Sequence, residues 1–255
     1  MTGNLAGETD PGWQVLGRLV EASNATFLLA DADGQRFVYK PRAGEAPLWD
    51  FPDGSLANRE VAAYELSRAS GFEVVPRTVM VEEAPLGRGA LQRFVDQPER
   101  GDLVALVPAD EVPPGWFGVV IGVDSHDRDV ALIHADDPRL RRLALFDVII
   151  NNADRKAGHI LQTRDDRVLG VDHGVSFHTE PKLRTVLWGW AGDGLDAAEL
   201  TLVGRAVDAV DAGVLDPWLS AEEVAATRER ATALLAARAL PEPGERWPVI
   251  PWPPV

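Results

Sequence analysis

Short runs of alternating apolar and polar residues occupy the first third of the chain. Residues 16–30 predict a strand pair with a turn near 23–25, and RFVYK at 36–40 predicts a further strand that ends in a lysine. Residues 58–70 carry apolar side chains at helical spacing and are followed by Gly71, which predicts one helix. Further short strands are predicted at 74–75, 78–81 and 90–95.

Helical spacing dominates the remainder of the chain. Helices are predicted at 138–151, 197–210 and 221–239, and a hairpin is predicted at 160–163 and 168–171. Residues 98–118 are rich in proline, glycine and acidic residues, which predicts a linker or a variable surface segment. The last fifteen residues contain six prolines and two tryptophans and predict an extended tail.

These patterns predict an α+β fold of two unlike lobes. We expect a flexible lead at 1–12, a strand-rich N-lobe at 13–97, a mostly helical C-lobe at 98–240 and a Pro/Trp tail at 241–255. A cleft between two such lobes is a common place for a small ligand to bind.

Charge and composition exclude several classes of function. The 255 residues include 40 acidic and 25 basic side chains, for a net charge of −15. Such a surface repels nucleic acids and anionic lipid headgroups, so we expect no nucleic-acid partner and no membrane association. The absence of cysteine excludes disulfides and thiol catalysis. The sequence has no run of 18 apolar residues and no basic, apolar leader, so we expect no transmembrane segment and a cytoplasmic location.

Residues 151–159 and 171–174 carry the main chemical signal. They read NNADRKAGH and VDHG, which places Lys156, His159 and Asp172 after Asp154. A phosphotransferase needs a group that orients the acceptor hydroxyl, a cation for the moving phosphoryl group and ligands for metal. We therefore predict Asp154 and Lys156 as catalytic residues and His159 and Asp172 as metal ligands. The alternative is a polar loop that is capped by its own Asn and Asp side chains.

The expected cofactors are ATP and Mg²⁺ or Mn²⁺. Mg²⁺ prefers oxygen ligands, and an imidazole at 159 suits Mn²⁺ or Zn²⁺ better. Lys40 at the end of a strand and Glu60 on the next helix match the ion pair that holds a phosphate-binding lysine in a kinase cleft. The alternative is a solvated lysine and an exposed glutamate.

Two further segments are candidates for nucleotide contact. Ser23 and Asn24 lie in a predicted turn of small residues, where backbone amides could approach a phosphate, although no glycine-rich phosphate motif precedes Lys40. The segment that contains Gln92, Phe94 and Val95 could pair with adenine through its backbone. The alternatives are an ordinary hairpin turn at 23–24 and an ordinary buried strand at 92–95, and either could contain the same residues.

These residues resemble the phosphatidylinositol 3-/4-kinase-like branch of the protein-kinase fold, especially type II phosphatidylinositol 4-kinases. EVAAY at 60–64 and VPRT at 75–78 are similar to that family's helix-C segment and the strand after it. Asp154-Arg155 with His159 is similar to its D-R-x-x-x-N catalytic loop, and VDHGVSF at 171–177 to its I-D-N-G-L-A-F metal-binding stretch. LQRFV at 91–95 resembles the hinge of HipA-like kinases. The whole chain resembles an actinobacterial group of phosphatidylinositol kinase-like proteins.

The resemblance implies a bilobal kinase fold that binds ATP and a divalent metal. It implies that Lys40 binds phosphate with Glu60 as its partner, that Asp154 is the catalytic aspartate and that Lys156 contacts the γ-phosphate. It also implies that His159 and Asp172 bind the metal. His159 stands where the family has Asn, and the cysteine-rich lipid-anchoring segment of the type II lipid kinases is absent.

Three functions stay open at this point. The first is a kinase that acts on a hydroxyl of a small molecule or protein. The second is transfer of AMP from ATP to a protein on the same fold. The third is a pseudokinase that binds nucleotide without chemistry. The acceptor is not given by the sequence, because acceptor pockets in this fold lie in variable segments such as 98–118 and 182–194.

Overall fold

The structure of the chain is a computed structural model that describes residues 12–19, 24–52, 54–98, 100–244 and 248–255. Apart from Gly12, the predicted flexible lead at 1–12 lies outside the described residues, as does the predicted nucleotide contact Ser23. Within the described ranges, no helix is both long enough and apolar enough to cross a bilayer.

An antiparallel sheet of five strands and one helix form the N-terminal part. The strands are arranged in the order β1-β2-β3-β5-β4. Helix α1 (Leu56–Ser70) connects β3 to β4 and packs against β4 and β5. The strands are β1 (Gln14–Leu19), β2 (Thr26–Ala30), β3 (Arg36–Pro41), β4 (Thr78–Val81) and β5 (Gly89–Arg93).

Strand β3 places its lysine on the face of the sheet that is opposite to a small apolar core. Phe37 and Tyr39 are buried together with Leu29 and Leu91. Because successive side chains of a strand point to opposite faces, Lys40 lies on the other side. The alternation of apolar and polar residues in β3 therefore places the Lys40 ammonium on the face away from this core.

The ends of α1 are fixed by side-chain and backbone chemistry. The Glu45 carboxylate accepts hydrogen bonds from the amides of Leu56 at 3.1 Å and Ala57 at 2.8 Å. A carboxylate at this position satisfies free amides and complements the positive end of the helix dipole. Gly71 ends the helix with a φ of 78°, a left-handed conformation that glycine adopts without strain.

The C-terminal part combines one small sheet, one hairpin and three helices. The strands β6, β8 and β7 form a three-stranded antiparallel sheet in that order, and β9 pairs with β10. The predicted α+β class, strand-rich at the N-terminus and helical towards the C-terminus, is confirmed. The elements are β6 (Val104–Pro108), β7 (Trp116–Val123), β8 (Asp129–Ala135), α2 (Pro138–Ile150), β9 (Ile160–Gln162), β10 (Val168–Gly170), α3 (Ala197–Asp211) and α4 (Ala221–Ala237).

Two sequence-based predictions of local structure are wrong. Residues 98–118 are not a linker, because they contain β6 and the start of β7. Their prolines and acidic residues lie largely at turns between strands rather than marking a structureless segment. Residues 74–75 form no strand. Val74 and Val75 are apolar because they pack in the main core, and the Val74 carbonyl accepts a hydrogen bond from the Gly170 amide at 2.7 Å.

The main apolar core joins the two parts of the chain. Ala62, Ala63 and Leu66 of α1 belong to the same buried cluster as residues of α2, α3 and α4. The polar residues of α1 are therefore held at a fixed position relative to the segment that follows α2. This connection brings Glu60 to the predicted site.

A buried histidine of the small sheet predicts a pH-dependent stability. His134 Nδ1 donates to the Ala135 carbonyl at 3.0 Å, and its Nε2 accepts from the Gly189 amide at 2.9 Å. Burial lowers the pKa of His134 below its ordinary value. The unfolded chain binds a proton near pH 6.5 and the folded chain does not, so the stabilisation is complete above that pH and is lost as the pH falls.

We expect His134→Gln to flatten the pH dependence of the free energy of unfolding. The measurement is urea denaturation at about pH 7.5 and about pH 5, where the wild type should lose stability between the two conditions. His126→Gln is the matched control, because His126 lies on an exposed turn. Equal losses in His134→Gln and in the wild type would contradict this role of His134.

Candidate functional site

The Lys40 ammonium lies between two carboxylates that come from distant parts of the chain. Its Nζ donates to Glu60 Oε1 of α1 and, at 2.8 Å, to Asp172 Oδ1 in the segment after β10. Burial alone would lower the pKa of Lys40, but Asp172 and Glu60 raise it overall. Conversely, Lys40 holds the pKa of Asp172 well below its ordinary value. These three predicted residues thus form one charged cluster.

The loop after α2 is fixed by a buried network around Arg155. The guanidinium donates to both carboxylate oxygens of Asp147, from Nε at 2.8 Å and from Nη2 at 2.9 Å. It also donates to the Val171 carbonyl at 2.6 Å. Asn152 Nδ2 donates to Asp147 at 3.0 Å. Arg155 and Asp147 are fully buried, so the helix, the loop and the segment before Asp172 are tied together inside the protein.

Asp154 lies at the surface of this network with its carboxylate turned towards cations. Its amide donates to Asn152 Oδ1 at 3.0 Å, and its Oδ2 is 3.3 Å from Lys156 Nζ. Burial raises the pKa of Asp154, and the charges of Lys156 and Arg184 act against that rise. A carboxylate of raised basicity beside an ammonium can accept a hydroxyl proton while the ammonium holds an anion.

His159 and Asp172 form a pair of acceptors that fits a divalent cation. His159 Nδ1 donates to the Asp154 carbonyl at 2.9 Å, and its Nε2 is 3.4 Å from Asp172 Oδ2. Burial lowers the pKa of His159 to about 4, so at neutral pH a lone pair faces a carboxylate oxygen. Two ligands of one ion, each at about 2.1 Å, lie roughly 3 Å apart, so both atoms can bind the same metal.

This pair supplies only part of a metal shell. Among the described residues, no group of three or more acidic or histidine side chains converges on one point. Mg²⁺ characteristically takes one or two carboxylates from the protein and fills the other positions with phosphate oxygens and water. The two side chains therefore fit a metal that arrives with a nucleotide.

His173 lies directly behind Asp172 and is buried. Its Nε2 accepts from Arg155 Nη2 at 2.9 Å, so its Nδ1 carries the hydrogen, which faces Glu60 Oε2 across 3.9 Å. Both of the facing atoms lack a hydrogen-bond partner within the described part of the chain. The imidazole ring of His173 therefore lies between the Arg155 network on one side and Glu60 of the Lys40 cluster on the other.

The predicted adenine segment is mostly engaged within the sheet. Gln92 pairs with β3 on one side and β4 on the other, and its Nε2 donates to Thr78 Oγ1 at 2.9 Å. The Phe94 amide donates to the Arg36 carbonyl at 3.0 Å, whereas Val95 follows the end of β5. Their assignment to the nucleotide stays a prediction.

Asn24 also has a structural contact. Its Oδ1 accepts a hydrogen bond from the Ala46 amide at 2.7 Å, which ties the turn before β2 to the segment after Lys40. Residues 20–23 of that turn lie outside the described residues. The role of Asn24 towards a phosphate stays a prediction.

A cavity in the described structure is separate from these side chains. It has a volume of about 570 Å³ and is lined by residues between 97 and 106 and by parts of 157–162. Ile160 and Gln162 share one face of β9 and line it. Lys40, Asp154 and Asp172 are not part of its wall, so this cavity does not mark the charged cluster.

The sequence analysis assigned no role in the site to Asp147, Arg155, His173 or Arg184. Asp147 had a usable signal, because it is an acidic residue within the apolar spacing of the predicted helix at 138–151. Lysine usage is a second signal. The chain has only three lysines, and Lys40, Lys156 and the buried Lys182 are all of them.

A relative in sequence comes from Mycobacterium tuberculosis. The chain is 48% identical over 254 residues to Protein Rv2133c of that organism, and the match covers 94% of this chain and 91% of that protein. No protein-family model matches the sequence.

Among solved structures, the Golgi casein kinase with Mn and ADP bound matches 87% of this chain and 71% of its own, at 12% identity and a TM-score of 0.49. The Helicobacter pylori proinflammatory kinase CtkA matches 90% of this chain and 94% of its own, at 11% identity and a TM-score of 0.46. Both scores are below 0.5, so neither likeness carries weight for the activity of this chain.

Proposed function

This chain belongs to the family of the Mycobacterium tuberculosis protein Rv2133c, and for it we propose an ATP- and divalent-metal-dependent kinase activity on a hydroxyl group of a small molecule or protein. The observation that carries the proposal is the position of Lys40. Its ammonium joins a glutamate of the helix after β3 to Asp172, the carboxylate that is proposed to bind metal. Protein kinases hold their phosphate-binding lysine in the same way, from strand β3 to helix C.

The proposed reaction moves the γ-phosphoryl group of ATP to an acceptor oxygen. The bond between the γ-phosphorus and the β,γ-bridging oxygen breaks, ADP leaves, and a bond forms between the γ-phosphorus and the hydroxyl oxygen. Asp154 orients the hydroxyl and accepts its proton. Lys156, 3.3 Å from Asp154, places a positive charge beside the oxygens of the group in transit.

The nucleotide phosphates are proposed to lie next to Lys40 and next to the pair His159 and Asp172, because Lys40 and Asp172 are already in direct contact. A divalent metal bound by this pair would neutralise the phosphate charge that builds up during transfer. Lys40 binds phosphate oxygens while Glu60 fixes the direction of its side chain. The Arg155 network holds Asp154 and Asp172 at a constant separation, because Arg155 bonds to the carbonyls of His159 and Val171.

The finer assignments stay hypotheses. The relationship to phosphatidylinositol 3-/4-kinase-like proteins rests on the motif residues, and the cytoplasmic location rests on the sequence. Transfer of AMP and nucleotide binding without chemistry use the same cluster. Incubation with ATP that is labelled at either the α- or the γ-phosphate separates them, because a kinase passes only the γ-label to an acceptor.

Nucleotide binding is the first measurable consequence. ATP with Mg²⁺ or Mn²⁺ at 100 times the dissociation constant should stabilise the wild type by about 2.7 kcal/mol. Lys40→Met removes the phosphate contact, so the same ligand concentrations should give a much smaller shift in melting temperature. Thermal denaturation with and without ligand measures both effects.

Arg228→Met is the control, because it removes one positive charge from an exposed ion pair on α4. It should keep the full ligand-induced shift. The proposal fails if the wild type shows no shift with either metal, and Lys40 loses its assigned role if Lys40→Met shifts as the wild type does. Circular dichroism of unliganded Lys40→Met shows whether that variant is folded.

A further inference from the structure

The segment that contains Arg184 is bonded directly to the loop that carries Asp154. The Arg184 amide donates to the Asn152 carbonyl at 3.0 Å, and the Arg184 carbonyl accepts from the Arg155 amide at 2.9 Å. Thr185 continues this contact as a parallel bridge to Arg155. The backbone of residue 184 is therefore held at a fixed place beside the proposed catalytic aspartate.

The Arg184 guanidinium differs from the other half-buried arginines of the described structure. Arg141 binds Glu199, Arg142 binds two carbonyls near the end of α1, and Arg230 binds two more behind the loop. For Arg184, which is also half-buried, the described residues provide no hydrogen-bonded or ion-paired side-chain partner. Its positive charge acts on Asp154 instead.

An unsatisfied guanidinium is unexpected in this protein. Forty acidic residues are available, and burial of part of a charged group without a partner is unfavourable. Lys182, two residues earlier, does have a carboxylate partner, Asp50, at 2.7 Å. A guanidinium that stays unpaired among so many carboxylates is available for an anion from outside the chain.

The charges of the site divide into two groups, one around Asp172 and one around Asp154. Lys40 and His159 surround Asp172, where the nucleotide phosphates and metal are proposed to bind. Lys156 lies beside Asp154, which would hold the acceptor hydroxyl, and the charge of Arg184 acts on the same carboxylate. An anionic group near that hydroxyl would therefore meet Arg184.

Resting on the proposed kinase function, we propose that Arg184 binds a phosphate or carboxylate group that the hydroxyl acceptor itself carries. The substrate class is then an anionic hydroxyl compound or an anionic segment of a protein. The planar guanidinium suits either oxyanion, because its donors match two oxygens at once. In a chain of net charge −15, such a local cation offsets the general repulsion of an anionic acceptor.

The test measures how fast phenylglyoxal modifies Arg184, by peptide mass spectrometry, in protein that contains a non-hydrolysable ATP analogue and Mn²⁺. The probes are glycerol 3-phosphate for a phosphate, glycerate for a carboxylate and glycerol as the neutral control. At ten times its dissociation constant, a bound anion should slow the modification about tenfold. Glycerol should have no effect, and Arg164 on an exposed turn should react at the same rate throughout.

Each other result overturns the proposal or the function beneath it. Protection by the ATP analogue and Mn²⁺ alone would mean that Arg184 contacts the nucleotide rather than the acceptor. An unchanged rate with both anions would mean that no acceptor anion binds there. Arg184→Gln should also lose any rise in melting temperature that these anions cause. If the analogue causes no thermal shift but the anions still protect Arg184, the kinase function fails while the anion site stands.

Discussion

Replacing Asp154 by asparagine should reduce phosphoryl transfer by about 10²–10⁴-fold, the usual contribution of a positioned acid–base group. The amide keeps the shape of the carboxylate but cannot accept the hydroxyl proton. Asp154 is not among the side chains that bond to Lys40, so the ATP-induced thermal shift should persist. Release of γ-labelled phosphate to water and to components of a cell extract measures the loss.

The same substitution should leave the protein at least as stable as the wild type. Burial raises the pKa of Asp154, which means that the folded state disfavours its charged form at neutral pH. An uncharged asparagine removes that unfavourable term, and such a conflict between stability and chemistry is typical of functional residues. Thermal denaturation without ligand measures this second effect.

Asp208→Asn is the matched control, because Asp208 is exposed on α3. It should change neither turnover nor melting temperature. Asp154 would lose its proposed role if Asp154→Asn kept turnover within about tenfold of the wild type. A loss of ATP binding in Asp154→Asn would instead point to a disturbed nucleotide site.

The charged cluster could be predicted because its residues follow one another in a functional order. Lys40, Glu60, Asp154 and Asp172 are charged residues next to apolar runs, where packing does not require them. The structure brings Lys40, Glu60 and Asp172 into contact, and places Lys156 beside Asp154. The substitutions of Lys40 and Asp154 described above test whether these residues take part in the reaction.

The parts that could not be predicted depend on long-range packing. The prolines and glycines at 98–118 are typical of turns. The segment nevertheless forms strands, because β6 and β7 pair with β8, which lies later in the chain. His173 is separated in sequence from Glu60 by more than a hundred residues, so their approach follows from the shared core. Arg184 has no local pattern that distinguishes it from a surface arginine.

The structure also changes the expectation for His159. An ordinary histidine would be half protonated near pH 6.5. Burial lowers its pKa to about 4, and the hydrogen bond from Nδ1 to the Asp154 carbonyl fixes which nitrogen faces Asp172. The imidazole is therefore neutral and oriented towards Asp172 at physiological pH, which is the arrangement that the proposed role as a metal ligand requires.

Removing Asp147 should strongly destabilise the protein. Asp147 and Arg155 form a bidentate pair with no solvent exposure on either side chain. In Asp147→Ala the guanidinium keeps its carbonyl contacts but loses its counter-charge. Breaking a buried pair in this way costs about 3–5 kcal/mol, because an uncompensated charge stays inside the protein.

Urea denaturation of Asp147→Ala and Asp211→Ala tests this directly. Asp211 forms an equally bidentate pair with Arg228, but on the surface of α3 and α4, so its removal should be close to neutral.

If both variants unfold at the same urea concentration, the buried network does not stabilise the loop. If only Asp147→Ala is destabilised, and its ATP-induced shift also shrinks, the network both stabilises the fold and holds Asp172 in place for the nucleotide. That result would join the stability of the C-terminal part to the geometry of the site through Arg155, which bonds to Asp147, to His173 and to the carbonyl before Asp172.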